Sequence, residues 1–182
     1  MAVENNKSTR DRILKVAKVL FHKQGFNETG INQIIAEAKV AKASLYYHFP
    51  TKDDLGLAYL NERHKEWQED FDSFLEDKDD KIAASFDALI KDNEENNFRG
   101  CSFINMLSQT SPEKTTFLEV LQRHKLALQN FFADELEGDN PDLAYQVYSL
   151  FENAIIESQL FKSQEPVKRI QKIVMSLINN SK

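Results

Sequence analysis

Turn-forming residues are scarce in this chain, and that scarcity limits what it can fold into. Only 5 Gly and 4 Pro punctuate 182 residues, so connections are few and the elements between them are long. No stretch alternates apolar and polar residues as a half-buried strand requires. Apolar residues at spacings of three and four instead recur from Ile13 to Ile178. An all-α fold is expected, and 41% hydrophobic residues supply enough material for one or two buried cores.

The most informative stretch runs from Ile31 to Phe49 and reads as two short helices joined by a tight turn. Ile31, Ile34, Ile35 and Ala38 give the first segment one apolar face, and Val40 stands where a turn residue plugs the angle between two helices. In the second segment Leu45 and Phe49, four apart, point to a core. Lys42, Ala43, Ser44, Tyr46, Tyr47 and His48 lie mainly on other faces. A solvated helix this short would carry more Glu, Lys and Gln. Small residues, hydroxyls and one Lys suit close approach to a DNA groove.

The roles follow from side-chain chemistry. Ala43 can touch a thymine methyl, and Ser44 can donate to a base edge or a phosphate. Lys42, Tyr46, Tyr47 and His48 are suited to gripping the backbone, with packing against the preceding helix as the alternative for Tyr46. No Arg or Asn stands ready for a bidentate base contact, so specificity would draw on apolar contacts and DNA shape. Thr29, just before the pair, reads either as a helix cap or as a phosphate contact at a helix N-terminus. Pro50 breaks the second helix, and Thr51-Lys52-Asp53-Asp54 has the pattern of a capping box that starts the next. Lys52, beside that new N-terminus, is placed to hold a phosphate.

Residues from about 9 to 57 resemble the DNA-binding domain of TetR-family transcriptional regulators. The run that carries the resemblance is Gly25-Phe26, Thr29, Ile31 to Ile34, and Val40 through Lys52, with Leu45-Tyr46-x-His48-Phe49-x-x-Lys52 its most specific part. It covers just over a quarter of the chain. Gly30 stands where the family commonly has a hydroxyl, Lys39 where it has Gly, and Ala41 where it has a capping Ser. The resemblance implies an N-terminal three-helix helix-turn-helix DNA-binding domain over residues 1–50. A larger helical effector-binding and dimerisation domain over 51–182 would follow, with the helix from residue 51 linking the two. Gly100-Cys101-x-Phe103-x-Asn105 further resembles the opening of a helix near the effector cavity in a subset of these regulators. That makes Phe103, Asn105, Met106 and Gln109 candidates for lining a pocket, with ordinary helix packing as the alternative for each.

Charge divides the chain in the same place. Residues 1–57 carry nine Lys and Arg against six Asp and Glu, and residues 58–182 carry 14 against 23, so +3 and −9 recover the net −6. A basic end on an acidic body is the asymmetry expected when one end alone meets phosphate. Upstream, Ile13, Val16, Ala17, Leu20 and Phe21 mark a first helix that Gly25 would end in a left-handed cap. Its basic flank (Arg10, Lys15, Lys18, Lys23) reads as a solvated face. Residues 1–7 are polar and read as a disordered or frayed end.

In the acidic body, Ser111-Pro112-Glu113 has the pattern of a helix start. The helix after Asn140-Pro141 is apolar over more than one face, through Leu143, Val147, Tyr148, Phe151, Ile155, Leu160 and Phe161. Such a helix must be covered on two sides. The last helix repeats the pattern with Ile170, Ile173, Val174, Leu177 and Ile178, so these two helices are expected to form a homodimer interface. His124 interrupts an apolar helix and reads as a satisfied core histidine or as a group that binds a polar part of a ligand.

Other chemistry is missing. The four histidines are far apart in the sequence, no metal-ligand spacing or phosphate loop occurs, and no cofactor is implied. A single Cys, Cys101, excludes an internal disulfide and suits a reducing compartment. No apolar run is long enough to cross a membrane and no signal-peptide core is seen, which points to the cytoplasm. The reading is a ligand-responsive transcriptional repressor, not an enzyme. It would bind a pseudo-palindromic DNA operator as a homodimer and be released by a small-molecule effector. The rival is a helical ligand-binding or scaffold protein with a vestigial DNA-binding motif, suggested by Gly30, Lys39 and Ala41.

Overall fold

The structure is a computed structural model that describes residues 8–136 and 140–181. The expectation for residues 1–7 therefore lies outside the described residues. Nine α-helices and no strand occur among the described residues: α1 (Thr9–Gln24), α2 (Ile31–Ala38), α3 (Lys42–His48), α4 (Lys52–Leu75), α5 (Lys81–Glu95), α6 (Ser102–Leu107), α7 (Thr115–Glu135), α8 (Pro141–Phe161) and α9 (Glu165–Asn180).

Local chemistry sets most of the boundaries. Ser8 caps α1 by accepting from the Asp11 N–H, and Thr51 and Asp54 close a reciprocal capping box at the start of α4. Asn140 caps α8 ahead of Pro141 at the first helical position. Gly25 ends α1 at a positive φ of 98°, but with ψ at 160° it is extended rather than left-handed helical. Ser111–Glu113 does not start α7. Lys114 N–H donates back to Ser111 O in a turn, the helix begins at Thr115, and the Lys114 ammonium instead pairs with Asp53 on α4 at 2.7 Å.

Two buried clusters organise these helices. The first holds Ile13, Phe21, Phe26, Ile34, Leu45 and Phe49 together with Leu55 and Tyr59 of α4, Phe103 and Met106 of α6, and Phe117 and Leu121 of α7. The second joins Phe71 and Leu75 of α4 to Phe86 of α5, Leu128 and Phe132 of α7, Phe151 of α8 and Val174 of α9. α4 and α7 thus run through both clusters as common struts. Gly56 is where α4 crosses the first cluster: a Cβ there would sit 2.7 Å from the Phe26 ring and 3.0 Å from the Phe117 ring. α8 buries Leu143, Val147, Phe151 and Ala154 and leaves Tyr145, Ile156, Leu160 and Phe161 exposed; Ile173 of α9 is exposed as well.

Candidate functional site

α3 is held by its inner side. Leu45 and Phe49 are fully buried, and the Arg10 guanidinium lies 5.2 Å from the Phe49 ring. The turn from α2 depends on Lys39, which adopts the left-handed conformation (φ 52°, ψ 51°), and on Val40, whose N–H donates to Ile35 O. Ala41 occupies the N-cap and offers no side-chain oxygen, so α3 starts uncapped. With Leu45 fixed inward, the helical period turns Lys42, Ala43, Tyr46 and Tyr47 outward together, and all four are exposed. Tyr47 is 82% exposed, which leaves a large aromatic ring with nothing of its own chain to cover it. Ser44 and His48 are half-buried at the edges of this face, with the His48 ring 5.0 Å from Tyr47.

Two expected contacts are placed differently. Thr29 is fully buried, and its hydroxyl donates to Gly25 O at 2.7 Å, inside the α1–α2 loop. Gly30, not Thr29, occupies the N-cap of α2. Lys52 begins α4, but its ammonium turns back over the Phe26 ring (4.6 Å) and donates to Asn27 O at 3.3 Å. Burial lowers its pKa, with the neighbouring charges of Asp53, Lys114 and Glu28 as smaller influences.

Between the two clusters lies a cavity of about 670 Å³. Trp67, Phe71 and Phe74 of α4, Asp92 of α5, Cys101 and Phe103 at the head of α6, His124 and Lys125 of α7, and Phe151 of α8 stand in its wall. Of the five candidate effector residues, Phe103 and His124 meet there, their rings stacked 3.6 Å apart and nearly parallel at 8°. Asn105, Met106 and Gln109 instead face a crevice of about 10 Å³ between α1, α4 and α6, with room for one water at most.

The cavity wall is electrostatically unusual. Burial pushes the His124 pKa down to about 2, helped by the charges of Lys125, His64 and Arg63, so this imidazole stays neutral. Its Nδ1 lies 3.2 Å from the Nδ1 of His64. Burial raises the Asp92 carboxyl above the usual range. Lys125 donates to Glu152 at 2.7 Å and lies 3.5 Å from the Cys101 sulfur. Its burial opposes the charge, but Cys101 and Glu152 outweigh that and raise its pKa. Among the described residues, no group of three or more His, Cys, Asp or Glu side chains is arranged to hold a metal ion.

Residues 13–59 match the bacterial regulatory proteins of the tetR family. The N-terminal segment of the chain is thus of the tetR family. It is 47% identical over 60 residues to the HTH-type transcriptional regulator QacR of Staphylococcus aureus, a match spanning 33% of this chain and only 32% of that relative. Against the HTH-type transcriptional repressor DhaR of a Mycobacterium species it is 23% identical over 93% of this chain and 91% of that one. The crystal structure of SCO4454, a TetR-family transcriptional regulator from Streptomyces coelicolor, superposes with a TM-score of 0.86. That likeness covers 98% of this chain and 92% of that one at 22% identity, and it is one of fold. All three relatives are named as transcriptional regulators, not enzymes.

The TetR departures now have a structural meaning. Lys39 takes the positive φ that Gly would adopt without strain, and Ala41 leaves open the cap that Ser would fill. Gly30 has open space around it, so a side chain would fit. The sequence hid other features. His64 and His124 are 60 residues apart yet in contact, and the Lys125–Glu152 pair bridges two helices. Trp67, Phe71 and Phe74 follow helical spacing that marks a core face, and only the position of α5 turns that face into a cavity wall.

Proposed function

We propose that this TetR-family protein is a transcriptional repressor that reads a pseudo-palindromic operator as a homodimer and releases it when a small molecule enters the cavity. The observation that carries this reading is the outward face of α3, where Lys42, Ala43, Tyr46 and Tyr47 are exposed together on a helix fixed from behind by Leu45. A face of that size fits the major groove, and two copies would occupy successive grooves about 34 Å apart. The exposed apolar side of α8 with Ile173 of α9 supports a four-helix interface between two subunits. The cavity supports an effector of ordinary metabolite or drug size. To act, the effector must bind the DNA-competent and released states with different affinity. The name of the DhaR relative supports repression over activation. No described helix is long and apolar enough to cross a membrane, and a DNA reader would work in the cytoplasm.

In this reading residues 1–50 serve DNA and residues 51–182 serve effector and dimer. Ser44, His48 and Lys52 flank the contact face, and Thr29 supports it from inside its loop. Replacing Lys42 and Tyr47 together with Ala is expected to weaken operator binding by about a hundredfold, since each contact is worth on the order of 1–2 kcal/mol. Fluorescence anisotropy with a labelled duplex measures this, and light scattering should still report a dimer. Unchanged affinity in the double variant would refute the chosen contact surface.

A further inference from the structure

We infer that Asn27, Gln109, Asn105 and Gln159 form a brace of neutral amides that fixes the angle between the DNA-facing helices and the dimer helix, and so sets the half-site spacing the protein accepts. The inference rests on the dimeric DNA-reading function proposed above. Asn27 lies in the loop that leads into α2. Its backbone N–H donates to Gln109 Oε1 at 3.0 Å, and its side-chain amide donates to the Gln109 carbonyl at the same distance. Gln109 Nε2 in turn donates to the Asn105 carbonyl at 2.9 Å. Asn105 Oδ1 accepts from Gln159 Nε2 of α8 at 3.1 Å. Four residues therefore connect the loop before the DNA-facing helices to the helix that carries the exposed apolar face.

The loop is shaped for this contact. Gly25 holds φ at 98°, and a Cβ on it would lie 2.9 Å from Gln109 Oε1, so only a glycine lets the carboxamide settle there. The crevice beneath, about 10 Å³, leaves α6 no slack against α1. At its other end α6 reaches the cavity through Cys101, Ser102 and Phe103. A molecule that displaces Phe103 must move α6, and with it the brace. Every member is uncharged, so the brace contributes orientation and none of the phosphate attraction that makes DNA binding salt-dependent. Asn27, Gln109, Asn105 and Gln159 are thus positioning residues, not DNA contacts.

The test uses full-length protein and an operator selected from random duplexes, compared with the same half-sites set two base pairs further apart. Gln109→Ala, which removes the side-chain acceptor for the Asn27 N–H and the donor to Asn105, should lower the affinity ratio between the two operators by about tenfold. The slope of log affinity against log salt should stay unchanged. Asn27→Ala, at an exposed position, should lower the ratio by a smaller factor, and Gln109→Glu, which keeps the acceptor for the Asn27 N–H but loses the donor to Asn105, should fall between the parent and Gln109→Ala. If Gln109→Ala retains the parent ratio, or weakens both operators equally, the brace is refuted while the DNA-reading function stands. If the parent protein selects no inverted repeat, that function fails and the brace fails with it.

Discussion

α3 and the cavity are opposite solutions to placing side chains for a partner. α3 is seven residues long, and its four outward residues are fixed by Leu45 within the helix and Phe49 just past its end, both buried behind them. The cavity is walled by five helices, and its residues span Arg63 to Ile155 in the sequence. Its wall holds a neutral buried histidine, an acid with a raised pKa and a half-buried lysine paired with Glu152. A surface that reads DNA must keep its shape, and tight short-range packing gives it that. A cavity that responds to a ligand must have a second arrangement within reach. In the proposed function, unfilled space and polar groups in the cavity wall would keep the energy gap to that arrangement small.

Core truncations test whether this difference extends to stability. Phe132→Ala in the second cluster should cost about 3–5 kcal/mol, and Leu45→Ala behind α3 about 2–5 kcal/mol. Because α4 and α7 pass through both clusters, each variant should unfold in one transition. Trp67 fluorescence and far-ultraviolet circular dichroism in urea should then report the same midpoint. Two separated transitions would show that the regions are independent and would break the comparison.

Acid should strike the cavity side first. His124 has its folded pKa pushed down to about 2, so the unfolded chain, near 6.5, takes up its proton where the folded chain does not. Stability conferred by the neutral form is complete above about pH 6.5 and is lost as pH falls below it. At pH 5 the loss is about 2 kcal/mol from this residue, and His22 and His64, also lowered chiefly by burial, act in the same direction. Urea midpoints from pH 7.5 to 5 measure it, and His124→Phe should remove the larger part of the slope. An equally steep slope in that variant would place the acid sensitivity elsewhere.

The smallest effects sharpen the α3 side. Lys39→Gly relieves a positive φ, and Ala41→Ser adds the missing cap, each expected to stabilise by about 1 kcal/mol. Thermal melts of the single variants, which should add in the double, would show this. No gain from either would mean that the turn has relaxed around its present residues.

These particulars also explain what could be read in advance. Helix boundaries such as Ser8, the Thr51–Asp54 box and Asn140-Pro141 are set by contacts three residues apart, so the sequence displays them directly. The outward face of α3 follows from helical period once Leu45 and Phe49 are recognised as buried. Thr29 was legible only as a hydroxyl near a helix start. Whether it faces out or donates inward to Gly25 depends on the path of the loop. Ser111-Pro112-Glu113 has the pattern of a helix start, but the turn there leads into Lys114, which a carboxylate on α4, 61 residues away, holds at the head of α7. Phe103 and Gln109 lie six residues apart, yet one meets the cavity and the other the loop before α2. The short α6 has different neighbours at its two ends, which no local pattern records.

The most direct test is selection of bound fragments from random double-stranded DNA at moderate salt, followed by sequencing. The account predicts an inverted repeat whose half-site centres lie about one helical turn, or a whole multiple of it, apart. Binding should be lost in the Lys42→Ala, Tyr47→Ala double variant. Recovery of no repeat, both by the protein as purified and after unfolding, dialysis and refolding to strip any carried ligand, would contradict it.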